Sequence, residues 1–111
     1  MSRSFRLTRR AEASLTEIAR YTIKNFGLRQ AERYEAELLS RCKGILNGTV
    51  HSRRCAVLVD DADDLRLARA GEHFLVFLDQ PDEVIIVDIL HSHSDLHRHV
   101  EVLLALKTEG F

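Results

Sequence analysis

The first third of the chain carries the pattern of a short strand followed by an amphipathic helix. Ser4–Leu7 alternates polar and apolar residues and is interpreted as an opening strand, after which Thr8 offers an N-cap hydroxyl. Gly27 stands where a left-handed residue would end the helix. Between these two positions one helix face repeats with the 3.6-residue period. That face is formed by Ala11, Leu15, Ile18, Ala19, Thr22 and Phe26.

A second stripe with the same period follows directly and ends at Asn47-Gly48, a dipeptide typical of a turn. Two amphipathic helices joined by so short a connection must lie antiparallel. We therefore predict a helical hairpin and assign Phe26 and Tyr34 to its core. The apolar positions of the second stripe are Ala31, Tyr34, Leu38, Cys42 and Ile45.

The second half of the chain has the shorter period of β-strands. Residues 48–64 show little pattern and are interpreted as a connection containing one edge strand. Leu65–Ala70 alternates, Gly71 marks a turn, and residues 73–80 and Glu83–His91 are near-continuous apolar strands separated by Pro81-Asp82. His73 is interpreted as a residue at the start of a strand, packed near Gly71.

The last strand is apolar on both faces, although a helical hairpin can cover only one face of a small sheet. Either a C-terminal helix or a partner protein covers the other face. Leu96, Val100, Leu103 and Leu104 have the spacing of such a helix. The predicted fold class is α+β in the order β-α-α-β-β-β, with the hairpin packed on a small antiparallel sheet and a helix at the C-terminus. We expect a single domain spanning residues 1–111.

The charge and the hydrophobicity of the chain argue against a nucleic-acid-binding protein and a membrane protein. Residues 1–54 hold 12 Lys/Arg against 5 Asp/Glu, a net charge of +7, and residues 55–111 hold 4 against 12, a net charge of −8. The total of −1 differs from the strongly basic balance of nucleic-acid-binding proteins, so we expect no direct specific nucleic-acid binding. No apolar run is long enough to span a bilayer and no signal peptide is apparent, which predicts a cytoplasmic protein without membrane contact. Cys42 and Cys55 are interpreted as packing residues.

Two stretches of the chain resemble ParE toxins of the RelE/ParE toxin–antitoxin superfamily. In the first, an aromatic-Gly pair ends one helix at Phe26-Gly27, and the next helix opens with Gln30-Ala31 and carries Tyr34. The second runs from residue 67 to residue 100. It contains the Gly-x-His-aromatic motif at residues 71–74, Ile-Leu-His at residues 89–91, Asp-Leu at residues 95–96 and Arg-His at residues 98–99. The family usually carries a His-Pro and a Gly before the first core strand, and this chain departs from that pattern with NGTVHSRRCAVLVDDADD at residues 47–64.

The resemblance implies the toxin of a type II toxin–antitoxin system, which inhibits DNA gyrase and is neutralised in a hetero-oligomer with a ParD-like antitoxin. No cofactor is implied. An unfolded antitoxin segment would gain by burying apolar surface in a groove beside the core strands and by pairing with a free sheet edge. Two alternatives remain: a ribosome-dependent messenger-RNA endoribonuclease of the RelE type, and a toxin-derived binding domain without activity.

Cleavage of RNA without a metal needs a proton-transfer group and cations for the phosphate. Arg66, Arg69 and His91 provide a minimal set of such groups, but the net charge favours a binding protein, so we assign no catalytic residue. The candidate residues for toxicity or target contact are Arg66, Arg69, His91, His93 and Arg98.

The histidines of residues 91–99 suggest a metal site, because His91 and His93 would share one strand face. His93 and His97 would be four residues apart on one helix face if a helix began early enough, but strand and helix periods cannot both hold across residues 92–95, and His97 and His99 lie beyond them. We therefore interpret this segment as a polar strand-to-helix turn with exposed histidines and predict no metal site.

Overall fold

A computed structural model describes residues 3–59, 62 and 64–107. The helices are α1, Arg9–Phe26; α2, Leu28–Asn47; and α3, Leu96–Lys107. The strands are β1, Ser4–Leu7; β2, Arg53–Arg54; β3, Leu65–Ala70; β4, His73–Asp79; and β5, Glu83–His91. A single 3-10 turn, Cys55–Val57, follows β2. The predicted α+β fold class is confirmed, and the edge strand expected in the connection is the two-residue β2.

The five strands form one mixed sheet in the order β1-β5-β4-β3-β2. Strands β2 to β5 pair antiparallel, whereas β1 pairs parallel with β5 from Ser4↔Glu83 to Leu7↔Ile86. The Thr8 N–H extends this pairing by donating to the Ile86 carbonyl at 3.0 Å. The opening strand is therefore an edge of the sheet and lies beside the last strand of the chain.

The helix ends follow the predicted capping residues. The Thr8 hydroxyl accepts a hydrogen bond from the Ala11 N–H at 3.1 Å and donates to the Val87 carbonyl at 2.7 Å, so the cap also ties α1 to β5. Gly27 separates α1 from α2 with a φ of +94°, a conformation that favours glycine. Gly48 ends α2 in the left-handed region. Each predicted boundary is confirmed.

The helical hairpin packs on one face of the sheet, as the two apolar stripes predicted. Leu38 is 1% exposed and lies at the centre of this layer. Leu15, Ile18 and Tyr34 are half-buried and pack against its edge. The buried residues of the layer are Ala11, Leu38, Cys42, Ile45, Ala68, Ala70, Leu75, Phe77, Val84, Ile86 and Ile89.

Helix α3 and the segment that follows β2 cover the opposite face, so the chain itself supplies the second layer. Lys107 near the end of α3 pairs with Asp64 just before β3. Of the two predicted alternatives, the internal helix is the correct one. The buried residues on this side are Cys55, Ala62, Leu65, Leu67, Val76, Leu78, Ile85, Val87, Leu90, Val100 and Leu103.

A buried carboxylate anchors α1 to β5. Asp88 is 5% exposed, and its Oδ1 accepts hydrogen bonds from Ser14 Oγ at 2.6 Å and from the Ile89 N–H at 2.7 Å. Its Oδ2 lies 3.2 Å from Arg10 Nε. A buried charge is tolerated when it is paired and hydrogen-bonded, and here the pairing fixes α1 on β5.

The prediction that Phe26 belongs to the hairpin core is wrong, because its side chain is 67% exposed. The helical period identifies a face of α1 but does not say how far along the helix that face is covered. Tyr21 and Leu28 are also exposed, at 64% and 59%. The hairpin end therefore presents apolar surface to solvent. No helix within the described part of the chain is long and apolar enough to cross a membrane.

Candidate functional site

The turn between β3 and β4 is held by the side chain of Tyr34 on α2. The Tyr34 hydroxyl lies 2.5 Å from His73 Nδ1, accepts a hydrogen bond from the Glu72 N–H at 2.9 Å, and approaches the Ala70 carbonyl at 3.3 Å. Gly71 has a φ of +59°, and a Cβ there would lie 2.7 Å from the Tyr34 ring. Glycine is required at this turn both for its backbone conformation and for the close approach of the tyrosine.

Three histidine rings form a row that extends from this turn. Strand pairing places His73 opposite His91, with ring centroids 5.1 Å apart and planes at 81°. His93 follows at 5.3 Å from His91, and its backbone N–H donates to His91 Nδ1 at 3.0 Å. The register of β4 and β5 thus assembles residues that lie far apart in the sequence.

Burial sets the protonation state of the innermost histidine. It lowers the pKa of His73 to about 4, with the neighbouring His91 acting in the same direction and Glu72 opposing it. Burial also raises the pKa of Tyr34. At neutral pH His73 is uncharged and Tyr34 keeps its proton, so the tyrosine donates to Nδ1 and the imidazole proton is assigned to Nε2.

A groove of about 710 Å³ opens beside this cluster, between the helical hairpin and the end of the sheet. Ile18, Tyr21 and Phe26 supply apolar surface, and Glu17 and Gln30 are polar groups on its walls. Tyr34, Glu72, His73 and His91 close the end at the sheet. We refer to this surface as the hairpin groove. The groove has exposed aromatic side chains along its sides. Its end is formed by Tyr34, Glu72 and His73, which are held in place by hydrogen bonds.

The structure separates the groups that an endoribonuclease would need together. Arg66 pairs with Phe77, four residues along β3 from Ala70, which pairs with His73. At about 3.3 Å per residue, this puts Arg66 roughly 13 Å from the histidine end of the sheet. Its Nε donates to Ser52 Oγ at 2.9 Å. Arg66 therefore holds the connection before β2 and does not belong to the histidine cluster.

Arg69 lies near the same turn but on the opposite face of the sheet. It pairs with Phe74, one position from the Ala70–His73 pair, and adjacent positions on a strand point to opposite faces. Its guanidinium lies 5.3 Å from the centre of the Phe74 ring, and its Nε donates to the Gly71 carbonyl at 2.6 Å. Of the five candidate residues, the structure brings only His91 and His93 together.

The segment after β5 is a turn leading into α3, as predicted. Asp95 caps the helix by accepting a hydrogen bond from the Arg98 N–H at 3.2 Å. Arg98 and His97 are exposed on the first turns of α3, and His97 pairs with Glu101 at 2.8 Å. Within the described ranges, no group of three His, Cys, Asp or Glu side chains is arranged to hold a metal ion. Cys42 and Cys55 are buried thiols whose pKa is raised to about 11 by burial.

Sequence analysis did not find the site residues contributed by the helical hairpin. Tyr34 and Phe26 were both assigned to the core, and Tyr21 and Glu72 were not singled out. One signal was available for Tyr21, which stands outside the apolar stripe of α1 although it is a large aromatic residue. Tyr34 and His73 are 39 positions apart in the chain. Their contact therefore produces no pattern in the sequence around either residue.

Comparisons with known proteins agree with this architecture. The model of the family described as ParE toxin of type II toxin-antitoxin system, parDE, matches residues 5–96. A curated protein named Toxin ParE from Escherichia coli is 34% identical over 91 residues, which cover 81% of this chain and 85% of that protein. A solved structure titled chromosomal ParDE TA system from P. aeruginosa covers 82% of this chain and 96% of its own, with a TM-score of 0.65 and 18% identity. That last likeness concerns the fold alone, whereas the family match spans most of the sequence. This chain belongs to the ParE toxin family of type II toxin–antitoxin systems.

Proposed function

We propose that this protein is a toxin that acts by binding a protein target, that the target is DNA gyrase, and that a ParD-like antitoxin neutralises it. The observation that carries the proposal is the match of the ParE family model to residues 5–96. We infer gyrase as the target and a ParD-like antitoxin as the partner from the family resemblance. The arrangement of side chains at the hairpin groove supports a binding protein over an enzyme.

The hairpin groove has the character of a protein-binding surface. Large aromatic side chains dominate the energetics of protein interfaces, and Tyr21 and Phe26 are both more than half exposed at the groove. Burying them against a partner would remove apolar area from water at about 25 cal/mol per Å². A ParD-like antitoxin that covers this surface would stabilise the toxin and hide it from its target.

The alternative of an RNA-cleaving enzyme is less well supported by the arrangement of charges. His91 has no arginine of β3 beside it on its own face of the sheet, because Arg66 lies farther along the strand and Arg69 points to the other face. Stabilising the phosphate in the transition state requires cations close to the proton-transfer group. The cluster itself holds histidines and a tyrosine, and Arg10, which lines a neighbouring pocket with His91, is paired with Asp88.

The test is a parallel readout after induction of the toxin in cells. A gyrase-directed toxin should change DNA supercoiling and start the DNA-damage response before any messenger-RNA cleavage appears. Ribosome-dependent RNA ends that appear first would contradict the gyrase target and favour the RelE-type nuclease.

Substitutions distinguish the two mechanisms further. In a binding protein, Arg69→Ala, Arg98→Ala and His93→Ala should weaken inhibition unequally and by at most a few kcal/mol each. In a nuclease, His91→Ala should lower cleavage about 10²- to 10⁴-fold with the fold intact. Arg66→Ala is not a clean probe of target contact, because it also releases Ser52. Each variant needs a thermal melt so that loss of fold is separated from loss of contact.

Neutralisation is tested with the purified antitoxin. We expect Tyr21→Ala and Phe26→Ala to weaken antitoxin binding while leaving the melting temperature of the free toxin almost unchanged, because both side chains are exposed. Val57→Ala is the matched control, since Val57 is also exposed and apolar but does not line the groove. Equal affinity in all three variants would show that the antitoxin binds elsewhere.

A further inference from the structure

The hairpin groove ends at two imidazole rings whose Nδ1 atoms already have hydrogen-bond partners. His73 Nδ1 accepts from the Tyr34 hydroxyl at 2.5 Å, and His91 Nδ1 accepts from the His93 N–H at 3.0 Å. A ring nitrogen that accepts a hydrogen bond carries no proton, so the proton of each neutral ring is assigned to Nε2. Both rings are therefore oriented as donors through Nε2.

These two Nε2 atoms are not used within the described part of the chain. No hydrogen bond or ion pair among the described residues involves either atom. Within the same ranges, Ser92 Oγ is the one buried side-chain N or O atom that lacks a partner, so Nε2 of the half-buried His73 is reached by solvent. His91 is exposed. Both N–H groups are thus available to a ligand.

Two cavities meet at this pair of histidines. The hairpin groove lies on one side, and a cavity of about 460 Å³ lies on the other, between α1, the end of β5 and the start of α3. The residues that line both cavities are Glu17, Ile18, His73 and His91. One carboxylate oxygen of Glu17 pairs with Arg20 at 3.0 Å, and its Oε2 forms no hydrogen bond with a described residue. Two donors and one acceptor therefore line the same junction.

The charge of the groove favours an uncharged ligand. Glu17 and Glu72 line it, and none of its described lining residues is lysine or arginine. His73 is neutral at pH 7, because burial lowers its pKa to about 4. A carboxylate or phosphate placed beside the two glutamates would be repelled.

The walls of the groove suit a flat apolar body. The exposed rings of Tyr21 and Phe26 line it together with Ile18, and aromatic rings pack favourably on one another in offset or edge-to-face arrangements. Its volume of about 710 Å³ falls within the range of small-molecule sites, roughly 300–1,000 Å³. Such sites combine apolar walls with a few polar groups that orient the ligand.

We propose that the end of the hairpin groove binds a small molecule that carries an uncharged primary carboxamide on an aromatic ring system. The carbonyl oxygen has two lone pairs and accepts from Nε2 of His73 and of His91, and the amide NH₂ donates to Oε2 of Glu17. The ring system lies against Tyr21 and Phe26. A glutamine side chain of a partner protein would offer the same amide but not the flat ring. The inference does not rest on which protein the toxin targets or which antitoxin neutralises it.

The first experiment uses proton–nitrogen correlation NMR of the imidazole rings in the full chain, titrated with naphthamide. In the free protein, His73 and His91 should both show a protonated Nε2 and an unprotonated Nδ1. Naphthamide should shift both Nε2 resonances to saturation and leave those of the exposed His97 in place. A protonated Nδ1 in either ring, or the absence of a saturable shift, would overturn the proposal.

The second experiment measures the affinity for naphthamide in variants. His91→Phe keeps an aromatic ring but removes the donor, and Glu17→Ala removes the acceptor, so each should weaken binding about three- to tenfold. The matched controls, His97→Phe and Glu12→Ala, alter exposed residues that do not line the groove and should bind like the parent. Equal losses in the controls would contradict the assignment of the site. Thermal melts of all four variants confirm that each is folded.

Related compounds test the chemistry of the ligand. Naphthoate has the same shape but is an anion, and it should bind at least about tenfold more weakly than naphthamide at neutral pH. Acetylnaphthalene lacks the NH₂ group, so its affinity should be lower than that of naphthamide and insensitive to Glu17→Ala. Naphthoate binding as tightly as naphthamide would overturn the proposal. Tighter binding of a glutamine-containing peptide, with the same sensitivity to His91→Phe, would assign the site to a protein side chain and likewise overturn it.

Discussion

The hydroxyl of Tyr34 and Nδ1 of His73 lie 2.5 Å apart, and this contact joins the helical hairpin to the β3–β4 turn. The same hydroxyl accepts the Glu72 N–H, so one oxygen fixes both the backbone of the turn and the first histidine of the row. Because His73 also pairs with His91 across β4 and β5, the position of the whole histidine row depends on a residue of α2.

Tyr34→Phe should lower the free energy of unfolding by about 1–3 kcal/mol, because the Glu72 N–H and His73 Nδ1 lose a partner in a half-buried site. Denaturant unfolding of the two proteins measures this. Tyr21→Phe is the matched control, since Tyr21 is largely exposed and should change the stability by less than about 0.5 kcal/mol. Equal effects of the two changes would mean that the Tyr34 hydroxyl contributes nothing specific.

Gly71→Ala should be more damaging than Gly48→Ala, although both glycines have positive φ. The left-handed conformation costs an alanine about 1–2 kcal/mol at either site. At Gly71 the added Cβ also meets the Tyr34 ring, whereas at Gly48 it meets nothing within 4 Å. Thermal melts of both variants measure the difference. If Gly48→Ala proved as destabilising as Gly71→Ala, the close packing of the tyrosine on the turn would be contradicted.

Stability should fall on acidification through protonation of His73. Its pKa is about 4 in the folded protein and about 6.5 when unfolded. Between these values the unfolded chain binds more protons, so the free energy of unfolding decreases as the pH falls from about 6.5 towards 4. His73→Gln should show a flatter dependence in this window. Identical slopes in the two proteins would contradict a neutral, buried His73.

Leu38→Ala should cost about 2–5 kcal/mol, because it removes a large side chain from the centre of the hairpin layer. Leu15→Ala should cost less, since Leu15 is only half-buried. Leu28→Ala serves as the control on an exposed leucine and should change the stability by less than about 0.5 kcal/mol. A Leu38→Ala variant that melts like the parent while losing toxicity would identify Leu38 as a contact residue rather than a core residue.

The pattern of neighbouring residues was sufficient to predict the helices, the strands and the residues at which they begin and end. Thr8, Gly27 and Gly48 act as predicted because capping depends on the conformation and hydrogen bonds of neighbouring residues. The 3.6-residue period of the two helices and the apolar runs of β4 and β5 record which side chains are buried. Sequence alone therefore determined the α+β fold class, the antiparallel hairpin and the strand-to-helix turn after β5.

Tertiary structure alone decided which helices and strands contact one another and how much of each helix the sheet covers. The parallel pairing of β1 with β5 and the contact of Tyr34 with His73 join residues far apart in the chain, and a local period carries no information about the partner. The exposure of Phe26 follows from how far the sheet extends beneath α1. The distance between Arg66 and His91 follows from strand register, which is set by the packing of both faces of the sheet at once.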